Sequence, residues 1–197
     1  KRFVGSLALK NKNKDLLTKI HGTFGMFAMD FQESDSQGFG TNYTGGTKNH
    51  NSTFTFKKSN FFFDDIIVCL GSGITNNDTS NETVTTLFQR MDNKGTGVNI
   101  NGTIQSSGTN SYPSMSANNY LVDNYGTGFY LVSGNDNIVV KKEAQQTPNQ
   151  NQTWTSGLTL SAPLNPVVNY YTGYINHGVN PSNKGYEYIL KPNSNAS

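Results

Sequence analysis

The sequence predicts an all-β protein, built as a large antiparallel β-sandwich. Three observations carry that expectation. Aromatic side chains are dense and spread along the chain, 12 Phe and 10 Tyr, beside many β-branched residues, a mixture that favours sheet over helix. Short alternating or wholly apolar runs recur between Gly- and Asn-rich loops at intervals of about 8–15 residues. No amphipathic helix longer than two turns can be drawn through any stretch.

The elements follow in order. VGSLALK reads as a short strand. Residues 23–31 read as a strand through Phe24, Met26, Met29 and Phe31, because Gly22 and Gly25 would weaken a helix there. Residues 33–52 hold only Phe39 and Tyr43 as large apolar side chains and read as a long loop. STFTFKKS alternates, with Phe54 and Phe56 on one face and Thr53, Thr55 and Lys57 on the other. FFFDDIIVCLGSG supplies a turn at Asp64–Asp65, then a strand whose unbroken apolar run, IIVCL, implies protein on both faces; Gly71 and Gly73 end it. VTTLFQR alternates through Val84 and, one register on, Thr86 and Phe88. VNINGT is a hairpin about Asn101–Gly102. NYLVDNYGTGFYLV gives two strands around an Asn-Tyr-Gly turn. DNIVVKKEAQQ, WTSGLTLSAPL, VVNYYTGYINHG and GYEYIL complete the set, with Tyr186 and Tyr188 sharing one side of the last.

Composition narrows the function. Fifteen Lys and Arg against 13 Asp and Glu leave a net charge of +2, with no basic block beyond KNKNK at 10–14. Neutralising a nucleic acid backbone takes a broad basic face, so no nucleic acid partner is expected; a groove with a few cations remains compatible with a polyanionic sugar. No apolar run approaches the roughly 20 residues that span a bilayer. Cys69, the single cysteine, precludes an intrachain disulfide and lies in an apolar run, where a buried, inert thiol is expected. Asn-x-Ser/Thr sequons begin at Asn42, Asn51, Asn77, Asn81, Asn101, Asn151 and Asn195. They are candidate N-glycosylation sites and favour a secreted or extracellular protein, although a chain with 27 Asn generates some by chance. The sequence opens without an initiator Met and reads as a piece of a longer chain.

No catalytic set assembles locally. His21, His50 and His177 lack the spacing of a metal motif, and no cofactor is expected. A structural hydrogen bond across a loop is the first expectation for His177, with a ligand-facing role as the alternative. Asp64 and Asp65 are adjacent and face opposite ways on an extended chain, so they read as a solvated turn, not an acid/base pair. Lys57 and Lys58 divide between faces for the same reason. Phe61, Phe62 and Phe63 must also divide, which favours core or interface packing over a stacking platform and predicts at least one buried ring. LGSGI has neither the Lys nor the helix of a phosphate loop.

KKSNFFFDDIIVCLGSGI followed by NETVTTLFQR closely resembles the central β-sandwich of the polysaccharide lyases that degrade hyaluronan, chondroitin and xanthan, nearest to the chondroitin ABC type. HGTFGMFAMDF at 21–31, YGTGFYLV at 125–132, INHG and GYEYIL match in the same order. Asn60 and Phe61 depart from the pattern where many relatives carry a tryptophan. The resemblance implies a super-sandwich of galactose-mutarotase-like form within a larger multidomain protein. Residues 1–190 would be the sandwich domain, incomplete at its N-terminal side, and 191–197 a tail or the start of a linker. It further implies an α/α toroid on the N-terminal side and a β-domain on the C-terminal side as partners in the same parent chain, and an acidic polysaccharide as the parent's substrate. The family cleaves uronic-acid glycans by β-elimination, with Tyr, His and Arg in the toroid and a further Glu or Asn from sandwich residues that would precede Lys1. None of the 10 tyrosines here matches the catalytic one, so the chain by itself is expected to be inactive and to hold no catalytic residue. The alternative is a non-catalytic extracellular glycan-binding or structural matrix module derived from such a lyase.

Overall fold

A computed structural model describes residues 5–7, 24–32, 53–112, 119–132, 134–145 and 167–194. Among these residues there are thirteen strands: β1 (Gly5–Leu7), β2 (Phe24–Gln32), β3 (Thr55–Phe63), β4 (Ile66–Thr75), β5 (Val84–Met91), β6 (Val98–Ile100), β7 (Thr103–Gln105), β8 (Thr109–Tyr112), β9 (Asn119–Val122), β10 (Gly128–Leu131), β11 (Asn137–Gln145), β12 (Val168–Asn176) and β13 (Lys184–Lys191). The expected all-β class holds. Every strand pair is antiparallel, in a nine-stranded sheet of order β1-β2-β3-β4-β13-β10-β9-β6-β7 and a four-stranded sheet of order β5-β12-β11-β8. The long loop expected over 33–52 and the strand expected in WTSGLTLSAPL lie outside the described residues.

Two tight turns are where the sequence puts them. Asn101 and Gly102 both take positive φ, 51° and 87°, between the paired residues Ile100 and Thr103, the backbone that a two-residue hairpin needs and that Asn-Gly tolerates. Asp64, at φ 42°, and Asp65 connect the paired residues Phe63 and Ile66, and both are exposed.

The core forms between the inner faces of the two sheets. Val98, Ile100, Leu121, Phe129, Leu131, Tyr186 and Tyr188 come from the large sheet, and Phe88, Ile138, Val140, Tyr171 and Ile175 from the small one. Phe88 and Phe129 meet across the sandwich with ring centroids 5.4 Å apart. Alternation along β12 selects Tyr171, Gly173 and Ile175 as its inward residues, and His177 continues that row. Two glycines lie beneath rings of neighbouring strands. A Cβ on Gly71 would fall 2.0 Å from Cε1 of Tyr186, and one on Gly173 would fall 2.3 Å from Cε1 of Phe88.

Three of the expectations are corrected, one of them by a bulge. The register of β5 on β12 shifts between Gly173 and Tyr174, so Leu87 is extra and the inward side changes. Phe88 is buried, but Val84 and Thr86, which simple alternation puts on its face, are exposed and Thr85 turns inward. IIVCL is not enclosed on both faces by the described residues: Cys69 is buried while Ile66, Ile67, Val68 and Leu70 are half-buried, because the small sheet covers only one side. Of the three consecutive phenylalanines none is fully buried. Phe61 is half-buried, and Phe62 and Phe63 are each 40% exposed, with Phe63 edge-on to Phe24.

Candidate functional site

His177 follows β12 on its inward row, and the bulge at Leu87 brings Thr85 to the same side. Nε2 of His177 lies 2.9 Å from Oγ1 of Thr85, and Nδ1 lies 2.8 Å from Oδ2 of Asp136. A carboxylate only accepts, so Nδ1 donates to Asp136; in the neutral ring Nε2 then accepts from the Thr85 hydroxyl. Nζ of Lys184 donates to the other carboxylate oxygen of Asp136 at 2.7 Å. Partial burial works to raise the Asp136 pKa, but the bonds from Lys184 and then His177, with the charge of each, outweigh it and hold the carboxyl below the usual range.

Backbone bonds hold the same corner. The His177 N–H donates to the Thr83 carbonyl, and the Thr83 N–H donates to the Gly178 carbonyl, each at 2.9 Å. Gly178 takes φ 78°, which reverses the chain directly after the histidine. Thr85, His177 and Asp136 thus have the connectivity of a hydroxyl–imidazole–carboxylate relay. The imidazole, however, has no exposed surface, both its nitrogens are bonded, and Lys184 already balances the carboxylate. The arrangement ties three chain segments together. It leaves no ring nitrogen for a ligand.

About 20 Å back along β12, six residues at roughly 3.3 Å each, Tyr171 begins a second polar cluster. Arg90 pairs with Tyr171 in the ladder, and its Nε donates at 3.1 Å to Oδ2 of Asp123, whose side chain is wholly buried in the β9–β10 turn. The other Asp123 oxygen accepts the N–H groups of Tyr125 and Thr127 at 2.9 and 2.8 Å. Tyr125 projects beside the cations of Arg90 and Lys94, 5.4 and 5.5 Å from its ring centroid, and donates its hydroxyl to Oδ1 of Asn93. Lys142 pairs with Asp92 at 2.6 Å and lies over Tyr171. No reading of the sequence drew these residues together. The one local signal was an aromatic at the tip of the Asn-Tyr-Gly turn; the rest depends on how the two sheets meet.

The remaining candidates separate. Lys57 is exposed and Lys58 half-buried on opposite faces of β3, and Asp65 makes an exposed ion pair with Lys191. Cys69 is a free, buried thiol whose pKa burial pushes up, against a bond from Tyr188. Among the described sequons, Asn81 gives its side-chain N–H to Asp78 and Asn101 gives its own to Asn119, while exposed Asn77 accepts the Thr53 hydroxyl. Asn42, Asn51, Asn151 and Asn195 lie outside the described residues. No three His, Cys, Asp or Glu side chains group as metal ligands among the described residues, and none of their helices is long and apolar enough to cross a membrane.

Comparison with known proteins places this geometry. The family described as polysaccharide lyase family 8, super-sandwich domain, matches residues 18–197. The chain is 32% identical over 152 residues to xanthan lyase of Bacillus sp. (strain GL1) and 30% identical over 164 residues to chondroitin sulfate ABC exolyase of Proteus vulgaris. Those matches cover 72% and 75% of this chain but 16% and 15% of the relatives, so the chain spans about a sixth of their length. The solved Paenibacillus xanthan lyase superposes with a TM-score of 0.61 at 27% identity, over 90% of this chain and 16% of that one. A chondroitinase AC lyase shares the fold with a TM-score of 0.63 at 22% identity, over 98% and 23%.

Proposed function

This chain belongs to polysaccharide lyase family 8 through its super-sandwich domain, and from that premise we propose that it is the scaffold and a wall of the substrate cleft in a secreted lyase acting on uronic-acid glycans. The single observation that carries the reading is the family match over residues 18–197, together with relatives named for xanthan and chondroitin sulfate cleavage. In this reading residues 1–190 form the sandwich and 191–197 lead onward. The catalytic residues lie elsewhere in the parent, in an N-terminal α/α toroid, with a β-domain on the C-terminal side.

β-Elimination asks for a base at the C5 proton of the uronate, positive charge or a hydrogen-bond donor at its carboxylate, and an acid at the leaving oxygen. Among the described residues the one buried imidazole has both nitrogens committed, and the most strongly shifted phenols, Tyr186 and Tyr188, are core residues raised above their ordinary pKa by burial. None of these can reach a polymer. That supports a supporting role for this chain, with elimination carried out by other parts of the parent.

The test uses the full-length parent protein with chondroitin, hyaluronan and xanthan, following the ultraviolet absorbance of the unsaturated uronate. A rise on at least one polymer is expected. No rise on any of them removes the lyase reading and leaves the non-catalytic glycan-binding or matrix module.

A further inference from the structure

We propose that Arg90, Asn93, Lys94 and Tyr125 form an anion-binding subsite, one that seats the carboxylate or sulfate ester of an acidic sugar at the end of the sandwich. The inference rests on the reading that the parent acts on acidic glycans, and it assigns a binding role to residues of this chain itself.

Where the local charges go is the main argument. The acids beside the cluster are turned inward, each in an ion pair. Asp123 has no exposed side-chain surface and accepts from Arg90 and two backbone N–H groups. Asp92 is 13% exposed and bound to Lys142. The outward groups are donors. Arg90 meets Asp123 through Nε, its side chain is 46% exposed, and its terminal amino groups join no ion pair among the described residues. Lys94 is exposed and likewise without an ion pair among the described residues. Asn93 accepts the Tyr125 hydroxyl on Oδ1, and its amide N–H groups remain as donors.

The negative face of the Tyr125 ring supports each cation without neutralising it. An oxyanion at the exposed Arg90 guanidinium would accept charge-assisted bonds in the planar geometry to which that group is suited, and Lys94, beside the same ring, adds favourable charge. Tyr125, 43% exposed, adds an apolar face for the C–H groups of a sugar ring. Asp123 fixes the pivot: it orients Arg90 and, through the Tyr125 and Thr127 N–H groups, the turn that carries the ring. The site is thus held in place before a ligand arrives.

The test is affinity electrophoresis of the whole 197-residue chain through gels containing hyaluronan, dextran sulfate or neutral dextran. Retardation by hyaluronan or dextran sulfate, weakened by added salt, and none by dextran, is expected. Retardation by hyaluronan alone assigns a carboxylate, and by dextran sulfate alone a sulfate ester. Lys94→Glu should weaken binding roughly tenfold, the scale of one charge-assisted bond, and Tyr125→Ala should weaken it severalfold. Lys94 is exposed, so its variant should keep the wild-type urea midpoint. Unchanged retardation in both variants, equal retardation by dextran, or none in any gel overturns the subsite. A parent that cleaves while this chain fails to bind would sink the subsite alone; a chain that binds within an inactive parent would sink the lyase reading alone.

Discussion

Replacing His177 by Ala separates a structural histidine from a ligand-facing one. The substitution removes the bond to Thr85, worth about 1 kcal/mol, and the bond to the Asp136 carboxylate, worth about 1.5–3 kcal/mol. It also opens a void beside Tyr186, whose ring centroid lies 6.4 Å from that of the imidazole. Two facts reduce the sum: Asp136 is 23% exposed and keeps Lys184, and half-buried Thr85 can find water. The net loss is about 3 kcal/mol. With a urea slope near 2 kcal/mol/M, the midpoint should fall by about 1.5 M, followed by far-ultraviolet circular dichroism. His177→Asn, which can restore one of the two bonds, should recover part of that loss. A His177→Ala midpoint within about 0.3 M of wild type, with glycan affinity or parent activity down more than tenfold, would refute the structural assignment.

Further outcomes follow from the core. Burial, with a smaller contribution from Cys69, pushes the Tyr186 phenol up to about 12. An acid whose folded pKa is raised stabilises the fold fully below its unfolded value near 10 and loses that contribution as pH climbs toward 12. Alkaline titration should therefore lower the urea midpoint above pH 10, and Tyr186→Phe should flatten that limb; an unchanged limb would count against a buried neutral phenol. Gly71→Ala would place a methyl 2.0–2.5 Å from three atoms of the Tyr186 ring, itself stacked on Tyr188 at 5.7 Å. The ring has little room to withdraw, so a loss of about 1–3 kcal/mol is expected, net of the small gain from stiffening the unfolded chain; a variant as stable as wild type would show that the ring moves freely.

Much of the sandwich was legible in the residue order, because burial on a pleated strand repeats every second residue and turns need particular backbone angles. Tyr186 and Tyr188 share the core face of β13, and Tyr171, Ile175 and His177 share that of β12, as period two requires. Asn101–Gly102 marked its hairpin through the one feature that matters there, tolerance of positive φ. The same period that put His177 inward was itself the sign that it would be buried.

Residue order alone told which residues form strands, where those strands turn, and, through an ordered set of motifs, the family. The partnerships came from the packed fold. Thr85 and His177 are 92 positions apart, and they meet because an extra residue at Leu87 reverses the facing of half a strand. Nothing in VTTLFQR announces that reversal. Arg90 reaches Asp123, and Lys94 reaches Tyr125, across the join of two sheets. Periodicity follows from local backbone geometry, so it can be read locally. Register, bulges and sheet order follow from packing the whole chain at once, and they alone bring scattered donors and acids into one site.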